Sequence, residues 1–276
     1  MSTSGMAMLA ARFAIPDLGL AGLGEMADGT RELLAATQLP CLCDGDDGYG
    51  GLKSVVRTVR VNEQMGAGAL VLEDQGREAK RPGQSKAVSV VPEEEIDAKI
   101  KAAVQTRDSA DFWIFGRTDA YGTSGLDAAL RRGHRFLNSG ADGVFLAGIR
   151  TPEDLRTVGE EFRGVPLMAV MYGRPGWPWL TISELHALGF TQIAYPLATI
   201  LPACAVISEI LQDMKEAMDG GSAPRRFEDA ERSLAILHDA TGTASWQALS
   251  ASEKPLSPAA HAGETLDSAQ RAEPGG

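Results

Sequence analysis

From residue 39 to residue 219 the chain alternates short apolar runs with amphipathic stretches, and this rhythm constrains its fold more than any other feature. The runs are "LPCLC" (39–43), "ALVLE" (69–73), "DFWIFGR" (111–117), "DGVFLA" (142–147), "VPLMAV" (165–170) and "FTQIAY" (190–195). They are almost continuously apolar, as strands buried on both faces must be. Helix signals lie between them. Leu52, Val55, Val56 and Val59 share a face, with Gly66 placed to end the helix. Pro92 before Glu93, Glu94 and Glu95 reads as a first helical turn. Leu126, Leu130, Gly133 and Leu137 form another stripe. Thr151-Pro152 opens a helix, and Thr181 with Glu184 makes a capping box ahead of Gly189. Strand and helix in alternation imply parallel β-structure with crossover helices. Six such units in series favour a (β/α)8 TIM-barrel type over an open doubly wound sheet, and no glycine fingerprint follows the first strand.

The count falls two strands short of the eight that closure needs. Residues 1–38 read as helix, proline break, then helix or loop, so they do not supply the missing pair. An open edge predicts low stability or association. The expected organisation is a barrel unit over 1–219, a helical extension over 220–249 and a tail without regular structure over 250–276, where Ser, Ala, Pro and Gly dominate. The extension holds one helix within 224–242, and residues 201–219 form the helix that precedes it.

Charge and length exclude several classes. A net charge of −11 argues against a nucleic-acid partner. No apolar run approaches the ~18 residues of a membrane span, and the N-terminus has no secretory pattern. The three cysteines, Cys41, Cys43 and Cys204, make no disulfide framework and read as small buried apolar residues. A cytoplasmic location follows. His134 and His186 fall inside helices and read as structural, and the tryptophans of "RPGWPWL" as loop packing.

In a parallel barrel the chemistry gathers at the carboxyl ends of the strands. Asp44, Asp46 and Asp47 follow the first run, Glu73 and Asp74 end the second, and Arg117 and Asp119 end the third. Each cluster alone is equally an ordinary turn or ion pair. Their recurrence on consecutive strands points to one rim where carboxylates suit an octahedral Mg²⁺ and an arginine suits a substrate carboxylate.

These segments are familiar as a set. "DGDDGYGG" resembles the D-x-D-T-G-Y-G element of the isocitrate lyase/phosphoenolpyruvate mutase superfamily, and "ALVLEDQ" its G-x-x-I-E-D-Q strand. "GRTDAY" resembles A-R-T-D-A, "AYPL" the late Y-P-L, and "SGMAMLAARFAIPDLGL" the S-G…P-D-x-G segment. The elements occur in family order over about residues 4–215. The resemblance implies Mg²⁺ (or Mn²⁺ in its place), held by Asp44, Asp46 and Glu73. It implies a small anionic 2-oxo or 2-hydroxy acid bound by Ser4, Gly5, Asp17, Gly50, Arg117 and Pro196, with Arg117, Lys80 and Tyr49 in catalytic roles. It also implies an enolate-like intermediate, and a homo-oligomer, dimer or tetramer, formed by exchange of the last barrel helix. Family members begin with two further strands ahead of the Ser-Gly segment, which accounts for the count of six.

The departures are as informative. The lyases carry K-[KR]-C-G-H on a mobile gate. Here "AKRPGQ" puts Pro82 at the cysteine and Gln84 at the histidine. Gln75 stands where the mutases have lysine. "FLAG" lacks the glutamate of F-P-E-A, and Asp47 replaces the threonine of D-T-G-Y-G. The segment from Gly76 to Lys86 reads either as a surface loop or as a lid whose Lys80 or Arg81 neutralises an anionic substrate. A missing gate acid favours decarboxylation of an oxaloacetate-like acid over isocitrate-type cleavage. P–C bond chemistry on a phosphonopyruvate-like acid is the alternative, and a catalytically degenerate barrel with an interaction role is the other.

Overall fold

A computed structural model describes residues 1–80, 89–221, 223–224 and 229–252. It forms two compact units, the first comprising Met1–Ser208 and the second beginning at Glu209. In the first unit, helices α1 (Gly5–Phe13) and α2 (Leu23–Ala35) precede a parallel sheet: β1 (Leu42–Asp44), β2 (Ala69–Glu73), β3 (Trp113–Thr118), β4 (Gly143–Leu146), β5 (Leu167–Val170) and β6 (Gln192–Ala194). The strands lie in sequence order and every neighbouring pair is parallel. The intervening helices are α3 (Leu52–Gln64), α4 (Glu93–Thr106), the short α5 (Ala120–Ser124), α6 (Leu126–Asn138), α7 (Pro152–Glu161) and α8 (Ile182–Ala187). All six expected strands are present, each within about three residues of its apolar run. The sheet curls in the manner of a TIM-type barrel.

Alternation along the strands separates two apolar clusters. One set of side chains, including Cys43, Leu70, Leu72, Ile114 and Val144, faces the helices and packs on Val55, Val59, Ile96, Ile100 and Phe136. The other set, Ala69, Val71, Phe115, Phe145, Met168 and Ala194, fills the inside of the curl. Each fully buried Leu, Ile or Phe contributes roughly 1.5–3 kcal/mol, so this double-sided burial is what holds the sheet. The helix signals act as expected. The Thr151 hydroxyl caps α7 through Asp154 N–H, and Thr181 with Glu184 closes the capping box of α8.

Among the described residues β1 and β6 do not pair with each other. Residues 1–3 add a partial rung outside β1: Leu42 N–H donates to the Met1 carbonyl, and Thr3 N–H to the Leu42 carbonyl. A cavity of about 500 Å³ at the amino ends of the strands is lined by both edge strands, with Leu42, Met168 and Ile193 in its wall.

The chain continues into α9 (Ile200–Met218), α10 (Ala230–Ala240) and α11 (Thr243–Ser252). The first two match the expected helices; α11 enters the start of the segment read as tail, whose remainder lies outside the described residues. Cys41 and Cys43 are buried as expected, but Cys204 is exposed on α9, a helix with no buried residue. None of the described helices is long and apolar enough to cross a membrane.

Candidate active site

Register places the site. Glu73 is directly opposite Arg117 across β2 and β3, and Asp44 opposite Val71 across β1 and β2. Asp44, Glu73 and Arg117 therefore continue the inward-facing rows of Leu42, Val71 and Phe115, one step beyond the apolar interior. Arg117 Nη1 meets Glu73 Oε2 at 2.8 Å, and its Nε and Nη2 grip both oxygens of Asp119 at 2.9 and 3.0 Å. These contacts use three of its five N–H groups. The guanidinium also lies 5.4 Å from the Phe145 ring centroid.

The turn after β1 folds back over these acids. Asp46 and Tyr49 adopt positive φ, 51° and 58°. Asp44 Oδ1 accepts from Asp46 N–H, and Asp44 Oδ2 accepts from Gly5 N–H at 2.8 Å. A Cβ on residue 5 would lie 3.0 Å from that same Oδ2, so glycine is what lets the amino end of α1 close on Asp44. Ser4 caps α1, its hydroxyl accepting from Ala7 N–H. The positive end of this helix therefore points at the acid cluster and favours an anion there.

A short 3-10 turn, Arg77–Ala79, follows β2 and delivers two bases. Arg77 Nη2 bridges Asp46 and Asp47 at 2.9 and 2.7 Å, and its Nη1 donates to the carbonyls of Gly19 and Ala21. The buried Lys80 ammonium sits among Asp46, Glu73 at 2.9 Å and Asp17 at 3.4 Å. Burial by itself would raise the Glu73 carboxyl, but Arg117 and Lys80 outweigh it and hold the group down at about 2. Asp46 goes the other way, raised by burial and by the charge of Glu73. Burial also raises Asp17, partly countered by Lys80.

A cavity of about 130 Å³ opens above Arg117. Its polar wall includes Ser4, Asp17, Asp44 and Arg117; its apolar wall includes Val71, Phe145, Met168 and Val170. Pro196 closes one side, and Tyr172 stands beside Arg117 with its ring 4.6 Å from that of Trp177. Burial raises the Tyr172 phenol, which stays protonated and able to donate.

Most sequence-predicted site residues thus converge. Ser4, Asp17, Asp44, Arg117 and Pro196 line the main cavity, while Gly5, Asp46, Tyr49 and Lys80 line a smaller one that shares Asp17 and Asp44 with it. Glu73 sits beneath, joined to Arg117 and Lys80. Two residues sit differently from expectation. Gly50 lines neither cavity; at φ 136° it serves the turn into α3, against Ser54. Tyr49 stacks its ring under Arg77 at 5.3 Å and points its hydroxyl at the Asp44 carbonyl, 3.4 Å away, so it shapes the turn. Asp47, at the family's threonine position, is bound by Arg77 and by Lys99 from α4. Ala147, where the family carries glutamate, is buried in the inner apolar cluster. Arg81, Pro82 and Gln84 lie outside the described residues.

Sequence reasoning missed Tyr172 and Arg77. The first lay within signal: it stands two residues past the end of β5, where a barrel places functional groups. His134 pairs with Glu161 at 2.7 Å on the helical layer, away from this rim, and Trp177 packs on Arg150 at 3.7 Å.

The acids suit a hard divalent cation in donor type. Their arrangement is another matter: among the described residues no three His, Cys, Asp or Glu side chains are grouped to hold a metal. Every carboxylate in question is turned onto a basic side chain or a backbone N–H.

A curled parallel sheet with acids and an arginine at its carboxyl-end rim defines a protein of the α/β-barrel class. More narrowly, the chain belongs to the phosphoenolpyruvate phosphomutase family, whose sequence model matches residues 1–215. It is 35% identical over 212 residues to 2,3-dimethylmalate lyase of Eubacterium barkeri, covering 77% of this chain and 73% of that protein. It is 33% identical over 213 residues to 2-methylisocitrate lyase of Bacillus subtilis, covering 77% and 69%. Among solved structures, oxaloacetate acetylhydrolase in complex with 3,3-difluorooxalacetate superposes with a TM-score of 0.79 at 28% identity, over 92% of this chain and 85% of that one. A crystal form of 2,3-dimethylmalate lyase gives 0.79 at 27%, over 91% and 82%. These relatives are lyases and hydrolases of the phosphoenolpyruvate mutase/isocitrate lyase superfamily.

Proposed function

We propose that this chain is a Mg²⁺-dependent lyase that cleaves a C–C bond in a small 2-oxo or 2-hydroxy carboxylic acid, with decarboxylation of an oxaloacetate-like acid preferred. The observation that carries this reading is the single cavity in which Arg117 and the amino end of α1 face an apolar wall of Val71, Phe145, Met168 and Val170. Arg117 retains N–H groups for a substrate carboxylate while Glu73 and Asp119 fix its plane. The positive end of α1 supports charge that develops on the 2-oxo oxygen. A divalent cation drawn to Asp44, Asp46 and Glu73 would, when bound, add Lewis-acid stabilisation of that same charge.

In decarboxylation the electron pair of the breaking C–C bond flows into the adjacent carbonyl. CO₂ leaves and an enolate remains, which takes its proton from water. No positioned gate acid is needed, which suits a chain with proline at the gate cysteine and with Ala147 in place of glutamate. The apolar wall also disfavours a phosphonate, whose second dianionic group would need basic partners there. Relatives named as 2,3-dimethylmalate and 2-methylisocitrate lyases support C–C cleavage as the reaction type. The location we propose is cytoplasmic.

We also propose a homo-oligomer built by helix exchange. Leu201, Val206, Ile207, Leu211 and Met214 on α9 are all at least half exposed, an apolar face that a second copy would cover. Light scattering should then give a dimer or tetramer, and a monomer would contradict it.

Turnover of a panel of 2-oxo and 2-hydroxy acids with Mg²⁺ tests the function, with release of the shortened 2-oxo acid as readout. Release that requires Arg117 supports it. Phosphate release from phosphonopyruvate alone would select the P–C alternative, and no turnover of any acid the degenerate barrel.

A further inference from the structure

The acids of the site already hold a cation, and it is part of the chain. Asp46 gives Oδ1 to Lys80 and Oδ2 to Arg77. Glu73 gives Oε1 to Lys80 and Oε2 to Arg117. Both oxygens of both carboxylates are therefore engaged by basic groups, and one ammonium is shared between Asp46 Oδ1 and Glu73 Oε1. Asp17 approaches that ammonium from the N-terminal segment at 3.4 Å. Asp44 is occupied too, by the N–H groups of Gly5 and Asp46.

Lys80 is held there by its setting. It follows the 3-10 turn that Arg77 pins to Asp46, Asp47 and the carbonyls of Gly19 and Ala21. Its side chain is only 7% exposed. A buried ammonium without such partners would shed its proton. Here three carboxylates, Asp46, Glu73 and Asp17, lie within ion-pair distance of it. The ammonium is thus a fixed positive charge at the centre of the acid cluster.

Asp46 Oδ1 accepts a hydrogen bond from the ammonium, and Glu73 Oε1, buried and without a hydrogen-bond partner among the described residues, has it as an ion-pair contact; two cations within one carboxylate cluster repel each other. We propose that Lys80 and a divalent cation compete for the same carboxylate oxygens, Asp46 Oδ1 and Glu73 Oε1, so that cation entry displaces the Lys80 side chain and Lys80 sets the metal affinity of the site. This rests on the reading of Asp46 and Glu73 as metal ligands made above. Arg77 and Arg117 keep the outer oxygens, so displacement of one side chain frees the inner pair. Lysine suits such an exchange: its ammonium is a point charge on a flexible stem, whereas the planar fork of Arg117 is locked by Asp119.

The test measures binding of Mn²⁺ alone, by electron paramagnetic resonance of the free ion, to wild type, Lys80→Met and Glu73→Gln. Lys80→Met should bind Mn²⁺ about tenfold or more tightly than wild type, given what one opposite charge does to a carboxylate, and Glu73→Gln should weaken it. A second measurement needs no variant. Acylation of Lys80 in the wild-type protein, read by mass spectrometry, should increase when Mn²⁺ is added. If wild type binds Mn²⁺ at least as tightly as Lys80→Met, or if labelling is unchanged at saturating Mn²⁺, the competition is overturned and the metal site stands. If neither wild type nor Lys80→Met binds Mn²⁺, the metal site itself is refuted, and the competition with it.

Discussion

Replacing Glu73 by Gln probes the electrostatic centre of the site and has a magnitude that follows from its environment. The carboxyl is 3% exposed and held at about 2, against an ordinary value of 4.5, by Arg117 and Lys80 acting against burial. A carboxyl depressed by folding stabilises the folded state at pH above its unfolded pKa, and that contribution fades as pH falls toward the folded one. The shift of roughly 2.5 units corresponds to about 3 kcal/mol at pH 7, falling to about 1 kcal/mol by pH 3. Glu73→Gln lacks this contribution and leaves the buried Lys80 and Arg117 with fewer partners. Urea denaturation of both proteins at pH 7, 5, 4 and 3 supplies the test. The wild-type advantage should be about 3 kcal/mol at pH 7 and shrink by about 2 kcal/mol by pH 3. Asp74, whose carboxyl is raised chiefly by burial, titrates in both proteins and largely cancels in the difference; Asp17 and Asp46 are raised by burial and in part by the charge of Glu73, so Glu73→Gln lets both fall back toward their ordinary values. Two parallel stability curves would refute the reasoning, because they would mean that Glu73 carries no stabilising charge in the fold.

Other expectations follow from single contacts. Gly159 in α7 packs against the chain after α8, and an alanine Cβ would fall 1.8 Å from the Leu188 carbonyl; Gly159→Ala should lower the melting temperature by the equivalent of about 1–3 kcal/mol despite alanine's better helix propensity, and an unchanged value would show that α7 can shift freely. Asp44→Ala removes the acceptor of Gly5 N–H as well as a proposed ligand, so it should abolish Mg²⁺-dependent turnover while circular dichroism stays near wild type; full activity would remove Asp44 from the site. With isocitrate or 2-methylisocitrate and Mg²⁺, no glyoxylate or pyruvate release should be detected, and robust release would show that the gate cysteine is dispensable here.

The fold was legible because strands buried on both faces leave an unmistakable apolar run, and because the caps at Thr151 and Thr181 are local chemistry. The acids and Arg117 were legible because each stands at a strand end, and register alone then sets Glu73 beside Arg117. What escaped was tertiary. Nothing local marks Arg77 as the residue that ties Asp46 and Asp47 to the carbonyls of Gly19 and Ala21, contacts that reach 30 to 58 residues along the chain. Nor does the sequence show that Lys80 turns inward onto Asp46 and Glu73, since its neighbours are those of an exposed basic loop. Tyr49 and Gly50 carry the family pattern yet serve the turn: both adopt positive φ there, and the Tyr49 ring lies on Arg77 with its hydroxyl toward the Asp44 carbonyl. The exposure of Cys204 belongs to α9, whose apolar face has no cover within the described residues.

The fate of one carbon tests the central claim most directly. Oxaloacetate labelled with ¹³C at its C4 carboxyl is followed by NMR with the enzyme and Mg²⁺, with Arg117→Gln as control. Decarboxylation sends the label to CO₂ and bicarbonate and leaves unlabelled pyruvate. Hydrolysis of the C2–C3 bond would send it to acetate and leave oxalate. The account predicts catalysed release of labelled bicarbonate that falls by at least about a hundredfold in Arg117→Gln, as loss of a buried charged anchor worth about 3 kcal/mol or more requires. Label appearing in acetate, or bicarbonate forming at the same rate in both proteins, would contradict it.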